Sequence, residues 1–184
     1  MVQLLSYVSI IFVLFSTGCQ TKNSNESRLN TTIHEATFMN NIDQVKAHIA
    51  AGSDLNEKDE WGSTPLNIAA TFNKIEVAKL LIDAGADLSE ATPDGTTALH
   101  TAVFLCRTEI VDFLLEHHAN TELKNSFGAT PLLSVQAPFE QMKPIYEQMN
   151  RDMGVLGLKL DYDFLESERE VIANKLISYQ NSNR

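Results

Sequence analysis

"GSTPLNIAA" occupies residues 62–70, and the chain repeats its frame twice, as "GTTALHTAV" at 95–103 and "GATPLLSVQ" at 128–136. Each copy begins 33 residues after the one before. The register reaches well past the phrase itself. Trp61-Gly62, Asp94-Gly95 and Phe127-Gly128 share one place, Leu66, Leu99 and Leu132 a second, and Ala36, Ala69 and Ala102 a third. It continues through Ile42, Ile75 and Thr108, then Asp43, Glu76 and Glu109, then Ile49, Ile82 and Leu115. Self-similarity sustained at a fixed period means that the core is built from stacked copies of one unit, each too small to bury its own apolar face.

The unit reads as a pair of helices. Thr64 offers a hydroxyl to the free N–H groups that open a helix, and Pro65 suits the first helical position, where its missing N–H is no loss. Asn73, tolerant of the left-handed conformation, ends that helix. A second one carries Ile75, Ala78, Leu81 and Ile82 until Gly85 closes it. Pro93-Asp94-Gly95 then signals the turn into the next unit. "GSTPLNIAATFNKIEVAKLLIDAGADLSEAT" closely resembles the ankyrin repeat family, and "GTTALHTAVFLCRTEIVDFLLEHHANTELKN" resembles it too. The resemblance implies an all-α ankyrin-repeat solenoid of stacked helix pairs with short hairpin loops. It covers 28–137, as units 28–59, 60–92, 93–125 and a partial 126–137. Residues 138–184 are then an irregular C-terminal helical cap, with an amphipathic helix expected over 164–180 from the spacing of Leu165, Ile172, Leu176 and Tyr179. Pro138 and Pro144 interrupt any simple helix ahead of it. Three departures stand out inside the repeats: Ala98 for the helix-opening proline, Cys106 where Gly or Asn is expected, and His118 where Gly85 stood.

The N-terminus follows a different logic. Residues 4–15, "LLSYVSIIFVLF", carry no charge and suit the central region of a secretion signal, while being short for a membrane span. Ser16-Thr17-Gly18-Cys19 follows and resembles the cleavage box of bacterial lipoproteins, although Ser16 replaces the usual leucine and Met1-Val2-Gln3 lacks a basic residue. That resemblance implies a signal peptide over 1–18, lipid on Cys19, and, because Gln20 is not Asp, an outer-membrane address facing the periplasm. An ordinary signal peptide, or an uncleaved anchor with Cys19 incidental, is the alternative. Residues 19–27 are a polar tether.

Composition narrows the partners. At net charge −10 the chain is poorly suited to nucleic acid, whose phosphates demand a basic stripe that is not visible here. The charge permits a basic protein partner and is equally that of an ordinary acidic surface. With Cys19 lipidated, Cys106 is the remaining thiol, so no disulfide framework supports the fold. No cofactor motif is present, and a monomer is expected.

A catalytic constellation does not emerge. In "TALH" the ankyrin resemblance makes His100 structural, bonding neighbouring backbone; His34 and Asn67 occupy the matching positions. His117-His118 suit a helix C-terminus better than a metal site, having no third ligand at the right spacing. Cys106 reads as a packed thiol. The acids Asp161, Asp163, Glu166, Glu168 and Glu170 lack the glycine turn and loop spacing of a calcium site and suit a solvated helix start. A metal-dependent envelope hydrolase using this acidic segment is the alternative function. The leading one is protein binding by a membrane-anchored scaffold, inhibitor or immunity-type binder. In the ankyrin-like register Trp61, Asp94 and Phe127 fall at hairpin tips, Thr71 and Phe104 point outward from successive first helices, and Phe72 and Leu105 follow directly after. Large apolar groups placed outward mark a contact surface. Folding back onto neighbouring units is the competing account of Phe72 and Leu105.

Overall fold

The computed structural model describes residues 29–183. The expected signal peptide, Cys19 and the tether at 19–27 lie outside the described residues. Three helix pairs run in chain order: α1 (Ile33–Phe38) with α2 (Ile42–Ala51), α3 (Pro65–Thr71) with α4 (Ile75–Asp83), and α5 (Ala98–Phe104) with α6 (Thr108–Glu116). A seventh helix, α7 (Pro131–Gln136), opens a fourth unit. It is followed by α8 (Phe139–Met153), one 3₁₀ turn (Gly154–Leu156) and α9 (Tyr162–Ser182).

Local chemistry sets each first helix. Thr32, Thr64, Thr97 and Thr130 are the N-caps, each accepting from the backbone N–H three residues on at 3.1–3.4 Å. Pro65 and Pro131 take the first helical position, and Ala98 serves there without cost to the cap. The first helices pack in one layer, α1 on α3 on α5 on α7, and the second helices α2, α4 and α6 pack in another. Between the layers lie Leu66, Ala69, Leu81, Leu99, Ala102 and Leu114, all fully buried or nearly so. Alanine at 69 and 102 lets neighbouring backbones approach, so burial of the flanking leucines drives the stacking.

Register, more than residue identity, dictates the backbone. Asn40, Asn73 and Cys106 stand 33 apart and all adopt positive φ, at 55°, 53° and 53°. Likewise Gly52, Gly85 and His118 close the second helices with φ of 72°, 89° and 61°. Cys106 and His118 are thus held in a left-handed conformation that costs an L-residue about 1–2 kcal/mol. The stack imposes the turn, and the side chain tolerates it.

The C-terminal cap contains more of the repeat than its sequence shows. α9 packs on α7 as α6 packs on α5, and Lys175 pairs with Asp112 of α6 as Lys79 of α4 approaches Glu109. It therefore stands as the second helix of the fourth unit, with Leu165, Ile172 and Leu176 turned into the core. Residues 138–161 are an insertion between the two halves of that unit. Contrary to the expectation from Pro138 and Pro144, this insertion carries a 15-residue helix. Pro138 is the N-cap residue just ahead of α8, and Pro144 lies inside it, where the missing N–H removes one ladder bond without ending the helix.

α8 is pinned chiefly through Tyr146, its one buried residue, whose ring stacks on Phe104 at 4.5 Å. The Tyr146 hydroxyl donates to the Phe104 carbonyl at 2.7 Å and accepts from Arg169 at 2.6 Å. Arg169, 4% exposed, also donates to the carbonyls of Ser134 and Ala137. Burial pushes the Tyr146 phenol up to about 12, so it remains the neutral donor that this network needs.

Candidate protein-binding surface

The three hairpin tips are built by one device used with different residues. In the first, Asp59 accepts from the backbone N–H groups of Trp61 and Ser63 at 3.0 and 2.8 Å. In the third, Asn125 does the same for Phe127 and Ala129, both at 3.1 Å. The middle hairpin has Thr92 at that position, whose hydroxyl cannot reach both groups. Asp94 takes over, accepting from the Thr92 hydroxyl and from the Thr96 N–H through Oδ1. Asp94 is exposed at the tip and also closes its own turn.

The tips are locked into one row. A side-chain carbon on Gly62 would lie 2.6 Å from the Pro93 ring of the next hairpin, and one on Gly95 would lie 3.1 Å from the Asn125 backbone. Gly128, last in the row, has open space around it. Ser126 N–H donates to Asp94 O at 2.8 Å, Asp87 N–H donates to Asn56 Oδ1 at 2.8 Å, and Lys58 pairs with Glu90 at 2.9 Å. Side chains deeper in the stack add a second tie. His34 Nε2 meets Glu57 O at 2.8 Å and His100 Nε2 meets Ala129 O at 3.1 Å, each reaching the hairpin that follows its own helix pair, at positions that differ within the repeat. Asn67 holds the equivalent position in the middle unit, and its buried Oδ1 has no hydrogen-bond partner. Burial holds the His100 imidazole below its ordinary pKa, which suits a ring whose Nδ1 accepts the Thr97 backbone N–H while Nε2 faces the Ala129 carbonyl.

The residues expected to point outward divide into two groups. Trp61 is 52% exposed and Phe127 81% exposed, at equivalent tips two units apart. The helix-end positions are different. Leu105 is wholly buried, because it caps α5 where the chain turns back into α6; its expected place on the surface is corrected to the core. Phe104 is half-buried beneath the Tyr146 ring, so α8 occupies the space in which a partner was expected. Phe72 meets Phe38 edge to face at 4.9 Å, which is the folding-back alternative. Thr71 is half-buried, donates its hydroxyl to Asn67 O at 2.9 Å, and offers its carbonyl to Arg107. Trp61, Asp94 and Phe127 are left as the exposed members.

These observations together, a 33-residue helix pair with its threonine cap, left-handed closures and histidine tie, meet their counterpart in a family model. The one described as "Ankyrin repeats (3 copies)" matches residues 33–132. The chain belongs to the ankyrin repeat family. A search of curated proteins gave no match. Ankyrin repeats typically serve as non-enzymatic modules that bind other proteins, so membership points to a protein–protein interaction module.

Several of the other titratable groups described in this ankyrin stack have structural partners. Burial pushes the Cys106 thiol up to about 11, leaving it protonated at neutral pH and without nucleophilic character. Within the acidic segment, Asp161 is the N-cap of α9, accepting from Phe164 N–H at 3.1 Å, and Asp163 lies in the first turn, where negative charge is favoured. Among the described residues no group of three or more His, Cys, Asp or Glu is placed to hold a metal ion. His117 caps the end of α6 through Phe113 O at 2.9 Å and lies 3.5 Å from Asp83.

Proposed function

We propose that this ankyrin protein is an envelope lipoprotein, held on the periplasmic face of the outer membrane through Cys19, which binds another protein through its hairpin row as a scaffold, inhibitor or immunity-type binder. The observation that carries the reading is the outward placement of Trp61 and Phe127 at equivalent tips of a locked row. Water contact with aromatic rings is unfavourable, and such rings dominate interface hot spots. Anchoring is supported by the sequence alone, in which the uncharged run at 4–15 ends just ahead of a cysteine flanked by small residues.

Two experiments test the two halves. Cys19→Ser should release the protein from the membrane fraction or leave it unprocessed, because a hydroxyl cannot form the thioether; migration and fractionation like the wild type would end the lipoprotein reading. For binding, Trp61→Ala and Phe127→Ala are made singly and the envelope partner is captured with each. Lost capture with unchanged melting supports the hairpin surface, and unchanged capture refutes it.

A further inference from the structure

The row invites a narrower statement about what it binds. It rests on the reading that the hairpin tips are the binding surface. Loops 53–63, 86–96 and 119–129 together hold eight carboxylates and two lysines, and Lys58 is already paired with Glu90. Trp61, Asp94 and Phe127 take the same place in successive hairpins, so an acid stands between two aromatics. Both bonds to Asp94 fall on Oδ1, leaving Oδ2 for an incoming cation. Packed helical layers repeat at about 10 Å, which sets Trp61 and Phe127 about 20 Å apart. An extended chain covers about 3.3 Å per residue, so about six residues bridge them. A helical segment would need twice as many and would present its side chains around a cylinder, while the tips form a single line.

We propose that the tip row binds an extended basic segment of its partner, with two bulky apolar side chains about six residues apart that meet Trp61 and Phe127, and with Lys or Arg between them facing Asp94. The locked hairpins supply a preorganised platform, which limits the ordering cost to the peptide. Acidic surroundings steer the cationic segment toward it and reject anionic competitors.

The chain carries its own reporter, since Trp61 is the only tryptophan. The full chain in mild detergent is titrated with a synthetic seven-residue peptide bearing leucine at both ends and lysine at its third and fifth positions. Two controls carry glutamate in place of lysine, or leucines only three residues apart. The lysine peptide should shift Trp61 emission saturably and weaken as salt rises. Each control should bind at least about tenfold more weakly, as expected when one hot-spot contact is lost. Phe127→Ala should weaken the lysine peptide by a similar factor. Asp94→Asn, which keeps the turn-closing oxygen and removes the charge, should do so without changing the melting temperature. Equal binding of the glutamate peptide, or no emission change at all, overturns the extended basic ligand. If the captured envelope partner still depends on Trp61 and Phe127 in that event, the hairpin surface stands and only its ligand chemistry is wrong. If capture ignores both aromatics, the surface itself fails.

Discussion

Asn67→His should make this protein more stable. The position is the middle rung of a ladder in which His34 and His100 each bond the hairpin that follows their own helix pair, and asparagine is too short to reach. Its buried Oδ1 is left unpaired. Removing a buried unsatisfied acceptor relieves about 1–3 kcal/mol, and a new hydrogen bond contributes about 0.5–1.5 kcal/mol. The larger ring must be accommodated against that gain, and overpacking a tight site costs about 1–3 kcal/mol. Because a histidine ring is accommodated at both flanking positions and finds a hairpin carbonyl at each, the expected net gain is about 1 kcal/mol, or about 2–4 °C in melting temperature at this chain length. Urea denaturation at pH 7.5 measures it, with His100→Asn as the reciprocal loss. The pH response provides a separate check. A buried neutral imidazole has its pKa lowered, whereas the same group in the unfolded chain titrates near 6.5. The unfolded state therefore binds more protons below that value, and the stability held above it drains away as the pH falls. Asn67→His should steepen this acid loss, and His100→Asn should flatten it. A variant with lower stability at pH 7.5, or an acid profile that matches the wild type, would show that histidine at this position does not tie the units together.

Three other substitutions probe separate parts of the stack. Leu99→Ala empties a fully buried site between two neighbouring units and should cost about 2–5 kcal/mol in chemical denaturation; a loss under about 1 kcal/mol would mean that the site is not packed. Gly62→Ala should destabilise more than Gly128→Ala by thermal melting, since both positions have positive φ but the first also drives a methyl group into Pro93. Tyr146→Phe removes the hydroxyl shared by Phe104 and Arg169, which should cost about 1–3 kcal/mol as a buried donor loses its partner, and should accelerate amide exchange in α8 first.

What could be read ahead of the structure depended on having a second copy to compare. Between residues 28 and 137 the period assigned a helix start to Thr64, closures to Asn73 and Gly85, and a shared tip to Trp61, Asp94 and Phe127. Even the misfits were informative. Cys106 and His118 looked like departures, yet each adopts the left-handed backbone of its glycine and asparagine counterparts. After residue 137 the copies stop, and with them the means of placing a residue. Tyr146 bonds a carbonyl 42 positions earlier, and Arg169 reaches carbonyls 32 and 35 positions earlier; a carbonyl carries no sequence signature. That blind spot explains the unequal fate of the expected surface residues. Phe104 lies at a helix end, where the inserted α8 could cover it, and Leu105 lies where the turn folds inward. Trp61 and Phe127 lie at tips, where among the described residues no element covers them and both stay exposed.

Asp94 shows how function and folding become entangled in such a row. Thr92 interrupts the acid or amide that closes the other two hairpins, and a carboxylate two residues later makes good the closure while placing a charge between the aromatics. One substitution separates the two roles. Asp94→Asn retains an oxygen for the Thr96 N–H, as Asn125 does in its own hairpin, so the turn should hold and only the charge is lost. Asp94→Ala loses both, and the orphaned Thr96 N–H should loosen the hairpin and the Ser126 contact to Asp94 O with it. A partner that senses charge will distinguish wild type from Asp94→Asn, whereas a partner that senses only shape will distinguish Asp94→Asn from Asp94→Ala.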